Sequence, residues 1–307
     1  MSPDAPVLAV VVALAGVALA GVPSDVRADE SGAAIAEAAV AGPAFASRPR
    51  WEFGVGGGYF AGNDYPASSD PNRRALALPF FIYRGPVVRV GAGGVRARAI
   101  ERPRLRLDLS IGGSLSASAE SDGVRAGMPA LDYLFELGPQ LELSLVDRPV
   151  ASGGRLQLEL AAELRAVGAT DFRGTLRTEG FVAEIGVSLA RRRVGGSDFD
   201  LFVGLDTTFA DERLQDYFYE VAPRFETPGR AAFDARAGYL GSELFVGAAW
   251  RPTSRLRVFA GLQGGLYAGA ANEESPLYEA TRSGGVALGF AWTLARSERR
   301  IEVIESD

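Results

Sequence analysis

The sequence predicts an all-β fold: a transmembrane, antiparallel, up-and-down β-barrel of about ten strands, with twelve as the alternative, behind an N-terminal signal peptide. Three observations predict it. An apolar run opens the chain and ends at a small-residue cleavage site. From Trp51 onward, apolar and polar residues alternate with a period of two over long stretches. No later run is long and apolar enough for a membrane-spanning helix, which needs roughly 20 residues.

The leading run extends from Val7 to Val22 between Pro6 and Pro23, and Val26-Arg27-Ala28 follows. This is the pattern of an export signal cleaved after Ala28, although residues 1–6 carry no Arg. Residues 29–50 are rich in Ala, Gly and Ser with Pro43 and Pro49, and read as a flexible linker with at most a short helix over 35–40. The barrel is expected over 51–296, and 297–307 form a charged periplasmic tail.

Side chains alternate across a strand, so period-two patterning gives one apolar and one polar face. Leu105, Leu107, Leu109 and Ile111 oppose Arg104, Arg106, Asp108 and Ser110. Leu156, Leu158, Leu160 and Leu164 oppose Arg155, Gln157, Glu159, Glu163 and Arg165. Val286, Leu288, Phe290, Trp292 and Leu294 oppose glycines, alanines and Thr293. Ten strands are predicted, over 51–61, 74–98, 103–119, 131–147, 154–168, 179–193, 198–210, 237–251, 254–268 and 282–296. A turn at Tyr83-Arg84-Gly85-Pro86 would split the second and, with one more short strand, raise the total to twelve. Many of these stretches exceed the five or six residues usual in soluble sheets and match the ~9–11 that a tilted membrane strand needs. Aromatics near strand ends (Trp51, Tyr83, Tyr133, Phe199, Trp250, Trp292) suit an interfacial girdle.

The connectors sort by length. Short ones, 100–103, 147–154, 193–198 and 251–254, are expected to face the periplasm with both termini. Longer ones, 62–73, 120–130, 170–178, 211–236 and 269–281, are expected to face outward.

Composition narrows the function. There is no Cys and no His, and all 32 basic residues are Arg. This excludes Ser-His-Asp catalysis, Cys-based zinc sites and a P-loop lysine. The net charge of −6 gives no steering toward nucleic acid. No cofactor, metal or catalytic site is expected, and the chain is not read as an enzyme. Gly54-Val55-Gly56-Gly57-Gly58 lies inside a strand with no following helix, so it reads as a crowded wall and not a nucleotide loop. The charges expected to face the lumen are Arg104, Arg106, Asp108, Glu142, Arg155, Glu159, Glu163, Arg165, Glu184, Asp206 and Arg257. In so narrow a barrel they favour a salt-bridged plug over an open polar pore. In the longest outer loop, Tyr217, Phe218 and Tyr219 sit among Asp211, Glu212, Asp216 and Glu220. They are candidate contact residues, or else they pack the loop over the barrel mouth, which is the preferred expectation.

The chain resembles the MipA/OmpV family (MltA-interacting protein, outer-membrane protein V). The resemblance rests on Tyr65-Pro66-Ala67-Ser68, then Leu78-Pro79-Phe80-Phe81-Ile82-Tyr83-Arg84-Gly85, Gly127-Met128-Pro129, Leu131-Asp132 and Gly138-Pro139. It continues through Tyr217-Phe218-Tyr219, Ala271-Asn272 and Ser275-Pro276-Leu277. It implies an outer-membrane barrel in contact with lipid and lipopolysaccharide, and a scaffold that brings a lytic transglycosylase near a murein synthase. The alternatives are a small pore or transporter, or a surface adhesin acting through its outer loops. One departure is the charged tail after Trp292. Ser283, Gly285, Leu288 and Phe290 supply an internal polar-x-Gly-x-x-apolar-x-aromatic signal instead.

Overall fold

The computed structural model describes residues 45–304, apart from 64, 86–87, 92–93, 103, 115–122, 172–173 and 175. The expected signal peptide (1–28) and most of the expected linker lie outside the described residues.

The chain is all-β and antiparallel. Its main sheet contains β2 (Trp51–Asn63), β3 (Pro71–Arg84), β4 (Val88–Gly91), β5 (Gly94–Arg102), β6 (Leu105–Ser114), β7 (Tyr133–Pro149) and β8 (Arg155–Thr170). It continues with β9 (Leu176–Arg192), β10 (Phe199–Ala210), β11 (Gly238–Trp250), β12 (Leu256–Leu266) and β13 (Arg282–Arg296). Each strand pairs with the next in sequence, and β13 pairs back onto β2, so the sheet closes as a barrel. Ten of these strands run ten residues or longer, while β4 and β5 have four and nine. The ten long strands correspond to the ten expected, except that the stretch 74–98 reverses twice. β3 ends beside Gly85, and β4 pairs antiparallel with both β3 and β5, Gly91 lying opposite Gly94. The ring therefore has the alternative count of twelve.

Two expectations at the chain ends are corrected. Residues 45–49 are not linker but a strand, β1 (Phe45–Pro49), and the tail contains β14 (Arg300–Ile304). The two pair antiparallel as a separate two-stranded sheet. Its link to the barrel is local: Arg50 N donates to Arg299 O at 2.9 Å, and Arg84 N donates to Arg50 O at 2.8 Å. This sheet lies at the end of the barrel where the short connectors gather, called here the turn end. The long connectors gather at the opposite, loop end.

The alternation resolves into an apolar outside. Leu160, Leu164, Ile185, Leu189, Leu205, Leu244, Leu262 and Leu288 are all exposed, Leu262 to 63%. Trp51, Phe199, Trp250 and Trp292 ring the turn end, and Phe199 lies opposite Trp250 in register. Tyr59, Phe181 and Phe209 ring the loop end, with Phe209 packed on Tyr239. Of the six aromatics expected at strand ends, five gather at the turn end, and Tyr133 starts β7 at the loop end. Phe199 and Phe209 mark the two rings on one strand, ten residues apart. That is about 33 Å of strand, or about 25 Å of height at a ~40° tilt.

The inner wall is mixed. Along one side, aromatic rings lie flat across glycines of the neighbouring strand. The Phe80 ring occupies the space a Cβ at Gly54 would need, and the Phe202 ring does the same at Gly247. Gly54 is thus the crowded wall position its strand context implied. Phe202 stacks on Phe245 with centroids 5.4 Å apart, and Phe259 packs against the same cluster. The expected polar lumen is therefore interrupted by an aromatic cluster on β10–β12, strands that also carry the inward Asp200, Glu243 and Arg257.

Placing an arginine on the outer face tests this arrangement. Leu244→Arg, mid-strand on β11, should destabilise the barrel in lipid vesicles by about 2–4 kcal/mol in urea titrations. The same change at the turn-end Trp250 should cost well under half of that.

Candidate functional site

Described residues of four of the five long connectors fold into one cap across the loop end. Its centre is a helix that the period-two reading passed over, α1 (Glu212–Tyr219). Asp211 caps it by accepting from Leu214 N at 3.0 Å. Leu214 and Phe218, and Gln215 and Tyr219, fall at i and i+4, so one face of the helix turns inward. Leu214, Phe218 and Tyr219 join Tyr65, Leu131, Val221, Ala235 and Leu277 in a single buried cluster.

The candidate contact residues are therefore placed inside the cap. Tyr219 is fully buried, Phe218 nearly so, and Tyr217 half-buried with its hydroxyl donating to Asp132 O at 2.9 Å. This matches the preferred expectation for these residues, a loop packed over the mouth.

Motifs far apart in sequence meet here. Tyr219 OH donates to Pro66 O at 2.7 Å, and Tyr65 OH donates to Leu277 O at 2.7 Å. Ser275 Oγ donates to Tyr219 O at 2.8 Å, and Arg125 donates to Phe218 O at 2.8 Å. Asn272 Nδ2 donates to Gln215 Oε1 at 2.9 Å, while its Oδ1 accepts from Arg236 N at 2.8 Å. Arg230 donates to Val124 O at 2.6 Å and to Ala126 O at 2.9 Å. Ala67, at φ 61, is fully buried, and its carbonyl accepts from Glu279 N and Ala280 N, each at 2.9 Å. The residues that carried the family resemblance are largely the residues that build this cap.

Below the cap the charged wall is organised along the axis. Toward the loop end, Arg165 pairs with Glu136 at 2.6 Å, with Glu163, and with Glu184 at 4.0 Å. Glu243 accepts from Gln263 Nε2 at 2.6 Å and from Tyr267 OH at 3.3 Å. Midway, Arg106 pairs with Glu142 and, at 3.6 Å, with Glu159. Toward the turn end, Arg155 pairs with Asp147 at 2.8 Å and Arg84 with Glu52 at 2.7 Å. There Asp200, fully buried, is approached by Arg251 at 3.1 Å, Arg192 at 3.9 Å and Arg257 at 4.0 Å. Arg192 is also fully buried and donates to Gln157 Oε1 at 3.0 Å. A charge so buried persists only when paired and hydrogen-bonded, so this cluster is a packed floor.

Of the charges expected to face the lumen, all but one line the inner wall. Arg104 is the correction: it sits exposed on the turn between β5 and β6. Missed were Glu136, Asp147, Asp200 and Glu243. For Glu136, Asp200 and Glu243 the signal was present, because Leu137, Leu201 and Leu244 point outward and force their neighbours in; Asp147 shares the parity of outward Leu145 and turns inward only through the register shift between Ser144 and Val146.

Between cap and charged wall lies a cavity of about 410 Å³. Tyr65, Leu131, Leu214 and Phe218 line it from the cap side. Glu136, Arg165, Glu184 and Glu243 line it from the wall. Among the described residues no group of three or more carboxylates converges closely enough to hold a metal ion.

A family model described as MltA-interacting protein MipA matches residues 55–294. The chain belongs to the MipA family. No curated protein matches it. Among solved structures, an outer membrane channel from Pseudomonas putida F1 is 12% identical, covers 78% of this chain and 95% of its own, and has a TM-score of 0.43. The monoaromatic hydrocarbon channel CymD is 11% identical, covers 79% and 88%, and has a TM-score of 0.32. A loop-deleted OmpT, an outer membrane protein of Vibrio cholerae, is 10% identical, covers 80% and 99%, and has a TM-score of 0.26. The MipA match covers the barrel from β2 to β13, cap motifs included, and leaves out β1 and β14.

The cap carries a titration. Burial pushes the Asp216 carboxyl from 3.8 to about 6, with Glu220, Glu212, Asp234 and Asp211 adding repulsion. A carboxyl raised in the folded state makes its charged form costly there, so the closed cap gains stability as pH falls through about 6. Hydrogen exchange of α1, corrected for intrinsic rates, should show greater protection at about pH 5 than at about pH 7.5. Asp216→Asn should remove most of that difference and raise protection at the higher pH.

Proposed function

We propose that this MipA-family chain is a non-catalytic scaffold of the outer membrane. In this reading it anchors a murein-cleaving lytic transglycosylase, and through it a murein synthase, at the periplasmic face. The observation that carries the membrane part is the exposed aliphatic belt between two aromatic rings about 25 Å apart, the height of the apolar band on outer-membrane barrels. An apolar patch of that extent on a water-facing surface would drive association. Lipid and lipopolysaccharide are then its immediate surroundings. The loops face outward, the turn end faces the periplasm, and the chain arrives there through the export signal read at 1–28.

Scaffold is favoured over pore by the inside of the barrel. The cap roofs one end, and the buried Asp200–Arg192 cluster floors the other. The family description names MltA as the partner of its namesake, and here the periplasmic turns and the β1–β14 sheet offer the surface for such a partner. A chain without His or Cys lacks the commonest general base and thiol nucleophile of hydrolytic sites. The second reading is a small pore, favoured by the 410 Å³ cavity inside the lumen.

In-cell crosslinking from the turn end separates the two. With a photoreactive residue at Ser254 or Ser152, a lytic transglycosylase should be recovered from the outer-membrane fraction. The purified barrel should pass no steady current in a planar bilayer. Failure to recover any murein enzyme, together with stable single-channel steps, would replace the scaffold with the pore.

A further inference from the structure

The chamber under the cap combines two surfaces rarely put together without purpose. One is apolar and aromatic: Phe60, Tyr65, Phe218 and Tyr267 present four rings, with Leu131 and Leu214 between them. The other is acidic: Glu136, Glu184 and Glu243 face one guanidinium, that of Arg165. Arg165 is already committed to Glu136 and Glu163 and reaches Glu184 only at 4.0 Å. Glu243 is held by neutral donors alone in its hydrogen bonds, Gln263 and Tyr267. In register, Glu243 sits opposite Asp206, a second acid on the neighbouring strand.

We infer that this chamber binds an alkylated organic ammonium ion carrying a compact apolar group. About 410 Å³ lies within the ~300–1,000 Å³ range of small-molecule pockets. Aromatic faces attract an ammonium that is only weakly hydrated, and carboxylates supply the opposite charge. A bare metal ion does not fit the chamber. Its carboxylates are spread around the wall on β7, β9 and β11, and among the described residues no three converge on a metal-sized point. An anion is excluded by the excess of acids over arginine along the lining. A neutral apolar molecule would leave the glutamates buried against it without compensation. The cap then acts as the door. The ligand enters when α1 lifts, and its apolar group replaces contacts that Leu214 and Phe218 lose. This inference is independent of what the turn end holds, since the Asp200 floor separates the chamber from that surface.

The test is calorimetric titration of the full chain, folded in maltoside micelles, with benzyltrimethylammonium. Benzyl alcohol and benzenesulfonate serve as the neutral and anionic comparisons. Saturable binding of the cation alone is expected. Glu243→Gln should weaken it about tenfold, the loss of one charge-assisted contact. Leu214→Trp, which fills the chamber from the roof without changing charge, should abolish it. Heat-modifiable gel mobility reports folding of each variant, and Glu184→Gln replaces Glu243→Gln if the latter does not fold. Absence of saturable heat with the folded parent chain overturns the inference. So does equal binding of benzenesulfonate, or affinity unchanged in both the carboxylate and the roof variants.

Discussion

A strand whose flank faces hydrocarbon must place every backbone N–H and C=O on a neighbouring strand, because no water is there to take them. The β13–β2 pairing meets that requirement for all the others: it joins the last strand to the first and removes both sheet edges. Once the ring is closed, period-two alternation leaves each side chain one of two fates. Leucines and tryptophans go to the lipid side, and Arg, Glu, Phe and Gly share the lumen. A twelve-membered ring leaves more interior than side chains of an eight-stranded barrel would fill. The cap, the rings laid over Gly54 and Gly247, and the arginine–carboxylate wall are what fill it.

The two ends of that filled lumen differ in character. At the turn end, Asp200 and Arg192 are sealed from water and bind three strands together through buried charge. At the loop end, hydrogen bonds to carbonyls stitch four connectors into a lid over a chamber. Buried ion pairs are costly to break, whereas a lid held by loop contacts and a helix with a strained carboxylate opens more readily.

Most of the barrel was legible from alternation alone, for a physical reason: a one-residue slip would turn Leu160 inward and Glu159 into lipid, so register is written into the pattern. The short β4 was not legible, because four residues carry too little alternation to stand out from the strand before it. The terminal β1–β14 pair was missed because its partners lie at opposite ends of the sequence. The cap was half legible. Asp211 followed by Leu214 and Phe218 is a helix signal, and the motifs Tyr65–Ser68, Tyr217–Tyr219 and Ser275–Leu277 were visible individually. That Tyr219 OH reaches Pro66 while Ser275 reaches Tyr219 O depends on loop trajectories, which no local pattern encodes. The same blindness applied to the chamber, whose lining comes from eight strands and four connectors.

The central claim is that the barrel's apolar face meets lipid while its charged and aromatic face is packed inside. Spin labels placed singly at positions 243 to 248 on β11, in lipid vesicles, test it most directly. The account predicts a period of two in accessibility to oxygen, which dissolves in lipid. Labels at 244, 246 and 248 should be high, and those at 243, 245 and 247 low toward both oxygen and a water-soluble nickel reagent. The opposite phase, or nickel accessibility at 244 and 246, would mean that the leucine face does not lie in a bilayer, and the account would fail.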